Sequence, residues 1–251
     1  MIFDTHAHLW DKRLREDLDS VFDSMKRRSV TEVLVPTVSL DEIDDILSLR
    51  RYPGLVIGVG IHPSEVKELP RVKELEAYLK EDKVVALGEI GLDYYWTKDN
   101  KPEQQELFYQ QLVMAKKHAL PVLIHDRDAH EDVRALLREV DSYETGVIMH
   151  AYSGSKEMAL EDVRRGAYIS LAGPVTFKNA RVPKEVAMAV PLDHLLVETD
   201  SPYMTPHPFR GKRNDPSLVY FILEEIARLR GIAPDVVARQ TTENAHRVLG
   251  L

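Results

Sequence analysis

The chain alternates two kinds of segment. Short β-branched apolar runs occupy residues 2–6 (IFDTH), 32–38 (EVLVPTV), 55–61 (LVIGVGI), 84–90 (VVALGEI), 121–125 (PVLIH), 146–150 (GVIMH), 167–171 (AYISL) and 194–199 (HLLVET). Most are continuous rather than alternating, the pattern of strands buried on both faces. Between them lie longer amphipathic segments at 40–50, 68–80, 102–118, 129–139, 155–165 and 216–230, a shorter one near 183–190 and a closing one at 234–249. Segment 102–118 opens with Pro102 at a first helical position and ends on Lys116, Lys117 and His118, which suits the helix dipole.

Eight strands alternating with helices over 251 residues is the rhythm of a (β/α)8 barrel. The pattern predicts one domain over 1–251: an α/β, TIM-like barrel with a C-terminal closing helix. A doubly wound open sheet is the competing arrangement. It is disfavoured because no glycine-rich dinucleotide fingerprint follows the first strand.

Composition narrows the function. The chain is 44% hydrophobic and 29% charged, with ample material for a core. No run of eighteen apolar residues predicts a membrane span, and no basic-then-apolar leader opens the sequence, so the cytoplasm is the expected location. There is no cysteine, which excludes disulfides, thiolate metal sites and cysteine nucleophiles. The formal net charge of -8 would repel a polyanion. A phosphate-bearing substrate would need a local positive centre, such as bound cations or a basic loop.

Polar residues appear where the apolar runs stop. The first strand leads into His6 and His8, which share a side because strand residues i and i+2 point the same way. The fourth ends with Glu89, the fifth with His125, the sixth with His150 and the eighth with Asp200. In a barrel, catalytic groups gather at these C-terminal strand ends. Imidazoles and carboxylates suit Zn, Mn and related divalent ions. Six donors exceed one tetrahedral zinc site but fit two ions about 4 Å apart. Glu89 has two oxygens and can bridge such a pair.

The motifs DTHAHL (4–9), VGIHP (59–63), GEIGLDYY (88–95), PVLIHDRDAH (121–130), HAYSGS (150–155), ISLAGPVTFKN (169–179), VETDSPYM (197–204) and RGKRNDP (210–216) run in order along almost the whole chain. In these the chain resembles the TatD-type metal-dependent deoxyribonucleases of the amidohydrolase superfamily. The resemblance implies a TIM-like barrel, bound divalent ions (Mg, Mn or Zn) and phosphodiester hydrolysis, typically trimming of DNA from its 3′ end. It implies that His6, His8 and Asp200 ligate one ion, that His125 and His150 ligate a second, and that Glu89 bridges them. Many relatives in the wider superfamily use a carboxylated lysine as the bridge; Glu89 stands there instead.

Further candidates follow from position. Glu198 shares a face with Asp200 and is expected to orient a ligand or hold a third ion. Asp4 shares a face with His6 and His8 but lies deeper, as a supporting partner. His62, at the end of the third strand, is a candidate for phosphate contact and for proton donation to the leaving oxygen. Asp93 is a candidate support for its loop. Arg210, Lys212 and Arg213 follow the eighth strand; Arg210 and Arg213 are candidate phosphate contacts. Tyr94, Tyr95 and Trp96 are candidates for stacking on bases of a single strand. His118, His130, His194, His207 and His246 are assigned no chemistry. The expected enzyme is a 3′–5′ exodeoxyribonuclease using a metal-activated water, with Asp200 orienting or deprotonating that water. Its partner is single-stranded DNA or DNA 3′ ends, with no membrane and no obligate protein partner. The alternative is an amidohydrolase or esterase acting on a small substrate.

Overall fold

The computed structural model describes residues 1–96 and 98–251. Eight strands form one parallel sheet in sequence order: β1 (Ile2–Asp4), β2 (Val30–Pro36), β3 (Leu55–Val59), β4 (Val84–Asp93), β5 (Val122–Arg127), β6 (Val147–Met149), β7 (Tyr168–Leu171) and β8 (Leu195–Val197). All eight apolar runs are therefore strands, and the open-sheet alternative is excluded because the sheet curls until β8 meets β1. Along that seam Thr5 N donates to Val197 O (3.1 Å), Asp200 N to His6 O (2.9 Å) and His8 N to Ser201 O (2.8 Å). Asp4 reinforces it, accepting from Thr199 N (2.8 Å) and from Thr199 Oγ1 (2.6 Å).

The barrel interior is filled, not hollow. Phe3, Leu34, Ala86, Leu123, Ile148, Tyr168 and Leu196 project into one cluster with Ala245, Val248 and Leu249. Those last three belong to the predicted C-terminal helix, Pro234–Leu249, and the structure packs it across the N-terminal end of the barrel. The other face of each strand packs on the surrounding helices in a second, larger core. Only the C-terminal rim is left for chemistry.

The helices are α1 (Lys12–Arg15), α2 (Leu18–Arg27), α3 (Ile43–Leu47), α4 (Lys101–Lys117), α5 (His130–Val140), α6 (Lys156–Arg164), α7 (Arg181–Ala189), α8 (Val219–Arg230) and α9 (Pro234–Leu249). Two expected helices differ. The segment expected over 68–80 falls largely within a 3-10 stretch, Pro63–Ala77, with Pro70 inside it. Proline has no N–H to donate and its ring clashes with the preceding turn, so the apolar spacing cannot become an α-helix there. The segment expected over 40–50 is reduced to α3, flanked by 3-10 turns.

Two features fix the rim. Gly91 has a φ of +147°, and a Cβ there would stand 1.9 Å from the His125 carbonyl oxygen, so only glycine lets β4 lie this close to β5. On α4, two buried glutamines grip strand ends. Gln111 accepts from Ile61 N (2.8 Å) and donates to Ile61 O (3.0 Å), next to His62. Gln104 does the same for Asp93, accepting from its N (2.8 Å) and donating to its O (3.0 Å).

Candidate metal centre

Beyond Asp4 the chain bends at Thr5 and then follows the seam through the Ala7–Ser201 bridge, which brings His6 and His8 to one side. Their Nε2 atoms are 3.2 Å apart. His6 Nε2 is 3.3 Å from Glu89 Oε2, and His8 Nε2 is 3.2 Å from Asp200 Oδ1. The cross distances, His6 to Asp200 and His8 to Glu89, are both 3.8 Å. The other oxygen of Glu89 faces a second set. Oε1 is 2.9 Å from His125 Nδ1, 3.4 Å from His150 Nε2 and 3.6 Å from His62 Nε2. One carboxylate thus presents one oxygen to each of two groups of imidazoles.

The donor set fits a divalent cation. Ligand atoms about 2.1 Å from a common ion are separated from one another by about 3.0–3.4 Å. The closest contacts of the first group have that spacing. Without a cation, neighbouring imidazole nitrogens and carboxylate oxygens would face each other in a buried space, an arrangement hydrogen bonds alone satisfy poorly. His6 Nδ1 and His8 Nδ1 are buried and have no hydrogen-bond partner among the described residues.

Electrostatics follow from this crowding. Burial pushes the Glu89 carboxyl up, but His6, His150 and His62 outweigh it and hold the group well below the usual carboxylate range. Burial and the neighbouring His150 push His6 down. His125 is raised to about 9: burial opposes the shift, but Asp93 and Glu89 favour the charged ring. His150 is raised to about 10 against burial, by Glu198 and Glu89. Cation binding here would displace those protons.

The supporting contacts assign roles. Glu198 Oε1 lies 2.7 Å from His150 Nδ1 and also accepts from Ala151 N at 2.9 Å. A carboxylate beside Nδ1 favours the proton on that nitrogen and leaves the lone pair of Nε2 for the centre, as a ligand requires. Asp93 Oδ2 holds His125 Nε2 at 3.1 Å in the same way. His62 is different. Its Nδ1 accepts the backbone N–H of Ser64 at 3.1 Å. A neutral ring then carries its proton on Nε2, the atom facing Glu89. His62, lowered to about 3 by burial and by His125, stays neutral. His62 also stands with Glu89 and His125 in a group whose donor atoms are close enough to hold a cation, and its Nδ1 lies 2.8 Å from Ser64 Oγ.

The sequence matches the family described as TatD related DNase over residues 3–250. The chain belongs to that family. It is 43% identical over 254 residues to the uncharacterized metal-dependent hydrolase YabD of Bacillus subtilis, covering 99% of this chain and 98% of that one. It is 38% identical over 253 residues to the uncharacterized metal-dependent hydrolase YcfH of Escherichia coli K12, covering 98% and 95%. The crystal structure of YJJV, a TatD homolog from Escherichia coli K12, superposes with a TM-score of 0.92 at 29% identity, covering 100% of this chain and 98% of that one.

The structure places the remaining candidates of this TatD-family chain as follows. Asp4 meets Thr199 and the backbone of His6, as a seam support. Tyr94 is buried and its hydroxyl donates to Asp132 (2.8 Å), so it cannot stack on a substrate, whereas Tyr95 and Trp96 are exposed. Arg210 is exposed, its guanidinium 4.1 Å from the centre of the Phe177 ring. Arg213 ties the loop to the first helices through Arg13 O (2.8 Å) and Asp17 (3.2 Å). His118, His130 and His246 pair with Glu76, Asp126 and Glu32. Sequence reading missed Gln104 and Gln111. Their signal was two amides seven residues apart on the inner face of a helix that is otherwise apolar there. A surface cavity of about 470 Å³ is lined by Thr176, His207, Phe221 and Arg228 among others and contains none of the candidate ligand residues.

Proposed function

We propose that this protein, a metal-dependent hydrolase of the TatD family, cleaves phosphodiesters and removes nucleotides from the 3′ end of DNA. The observation that supports this most is Glu89, with one oxygen toward His6 and His8 and the other toward His125 and His150. That is the arrangement needed to hold two divalent ions side by side. His6, His8, Asp200 and Glu89 would hold one; Glu89, His125 and His150 would hold the other. Mg, Mn or Zn would serve. Such a pair, when bound, lowers the pKa of water and neutralises charge on the attacking and leaving oxygens of a displacement at phosphorus.

The protein groups supply the rest. Asp200 takes the proton of the attacking water on its carboxylate. His8 beside Asp200 lowers that group against the effect of burial, keeping it ionised for the task. His62 offers Nε2–H to a phosphate oxygen. Glu198 and Asp93 fix the rings of His150 and His125. Arg210, on the loop after β8, meets phosphate outside the centre.

The deciding test is degradation of a labelled single-stranded DNA oligonucleotide by the purified protein, chelated and then supplied with Mg, Mn or Zn, beside Asp200→Ala. Stepwise 3′ trimming that needs both cation and Asp200 is the expected result. Turnover of small esters or amides without any trimming would move the reading to the amidohydrolase class.

A further inference from the structure

Three aromatic rings are exposed among the described residues: Tyr95 (49%), Trp96 (74%) and Tyr203 (46%). All three lie just past the two strands that deliver Glu89 and Asp200. In a ring of eight strands in sequence order, β4 and β8 stand on opposite walls. The rings therefore flank the mouth of the centre from two sides.

Each platform is braced. The Arg13 guanidinium lies 4.5 Å from the centre of the Tyr203 ring and is itself locked onto Asp11 by two bonds of 2.9 and 2.6 Å. The Arg127 guanidinium lies 4.6 Å from the centre of the Tyr95 ring. Trp96 sets its edge on Tyr95, with centroids 4.8 Å apart and planes at 90°. A guanidinium stacked on an aromatic ring gives a flat, preorganised and electropositive surface. Both rings keep about half their surface in water although one side is occupied.

Each platform is also coupled to the ligands. Tyr203 N donates to Asp200 O (2.8 Å), and the Tyr203 ring centre is 5.9 Å from that of His8. The N–H groups of Tyr95 and Trp96 both donate to Asp93 Oδ1 at 3.0 Å, while Asp93 Oδ2 holds His125. The side chain that orients a ligand thus also sets the aromatic turn.

We infer that Tyr203 on one wall, and Tyr95 with Trp96 on the other, stack against the bases on either side of the scissile phosphate and so position the 3′ end for cleavage. This rests on the phosphodiesterase reading above and deepens it. Bases within a duplex already stack on each other and offer no free face, whereas unpaired bases stack readily on aromatic side chains. A small ester or amide needs neither platform.

The test pairs removal of a base with removal of a ring. Wild-type protein with its cations is given a single-stranded oligothymidylate and two counterparts with an abasic residue at the last or the penultimate 3′ position. Each abasic substrate should lose about tenfold in kcat/KM, the scale of one base–aromatic stack. Tyr203→Ala should abolish the discrimination at one position and Tyr95→Ala at the other, with Tyr203→Phe keeping it. The wild-type comparison needs no variant, so misfolding cannot mask the answer. DNA trimming indifferent to the abasic residues, or Ala variants that keep full discrimination, would overturn the platforms and leave the phosphodiesterase reading standing. Turnover of a small phosphodiester with no action on any DNA would remove the nucleic-acid reading, and the platforms with it.

Discussion

The backbone N–H of Ser64 points at Nδ1 of His62 from 3.1 Å, and that bond separates His62 from the five other groups around Glu89. A neutral ring held this way offers a hydrogen bond from Nε2–H. His62→Ala is expected to lower kcat about a hundredfold, the scale of one hydrogen-bond donor aimed at developing charge. The content of bound cation should not fall. Metal analysis alongside turnover of a bis-aryl phosphodiester checks this; a variant that loses its cation would make His62 a ligand.

His6→Ala, Glu89→Ala and Asp200→Ala should each reduce cation-dependent turnover at least about a hundredfold, since each removes a group that holds or works with the activated water. Of these, Glu89→Ala should deplete cation most, because its two oxygens face both sets of imidazoles. Normal turnover in Glu89→Ala would sink the bridged centre.

Cation binding should stabilise the fold. A ligand at about 100 times its dissociation constant adds about 2.7 kcal/mol, which for a chain of this size raises Tm by about 5–10 °C. Calorimetry of chelated and cation-loaded protein measures the shift. The Asp200→Ala protein should show a smaller one.

Arg210→Ala is expected to raise KM for phosphate-bearing substrates about tenfold, with kcat little changed, as loss of uniform binding does. Arg213→Ala should instead act through loop position, because its guanidinium holds Arg13 O and Asp17. An unchanged KM in Arg210→Ala would remove that residue from substrate binding.

A pH-dependent term sits away from the centre. Asp126 Oδ2 lies 2.8 Å from His130 Nδ1, and this hydrogen bond, opposed by burial, raises the His130 pKa above its ordinary value of 6.5. A raised histidine pKa contributes stability that is fully present below 6.5 and is lost as pH rises through the folded-state value. Urea unfolding of wild type and His130→Gln should therefore differ more at pH 6 than at pH 9. His130 is partly exposed and the pair is screened, so the change should be about 0.5 kcal/mol or less. A difference that grows with pH would reverse the assignment.

The barrel and the cluster of donor side chains at its rim were legible for one shared reason. A strand buried on both faces is a continuous apolar run, and the first polar residue after it falls on the rim. His6, His8, Glu89, His125, His150 and Asp200 all carry that signature. What escaped reading depends on partners far away along the chain. Gln104 and Gln111 look like ordinary helix polars until β4 and β3 are placed beside them. The bond between Asp4 and Thr199 spans 195 residues. Tyr94 and Tyr95 are neighbours of the same type, and only the turn at Asp93 buries one and exposes the other. Pro70 was the local signal that the 68–80 spacing could not be an α-helix.

The seam between β8 and β1 sets when the centre can exist. His6 and His8 leave the ribosome first, whereas Asp200 and the backbone that closes the barrel onto them come nearly two hundred residues later. A nascent chain short of Asp200 holds imidazoles without the wall that gathers them. The donors meet only when the ring of strands is complete, so an unfinished copy of this protein is an inert one.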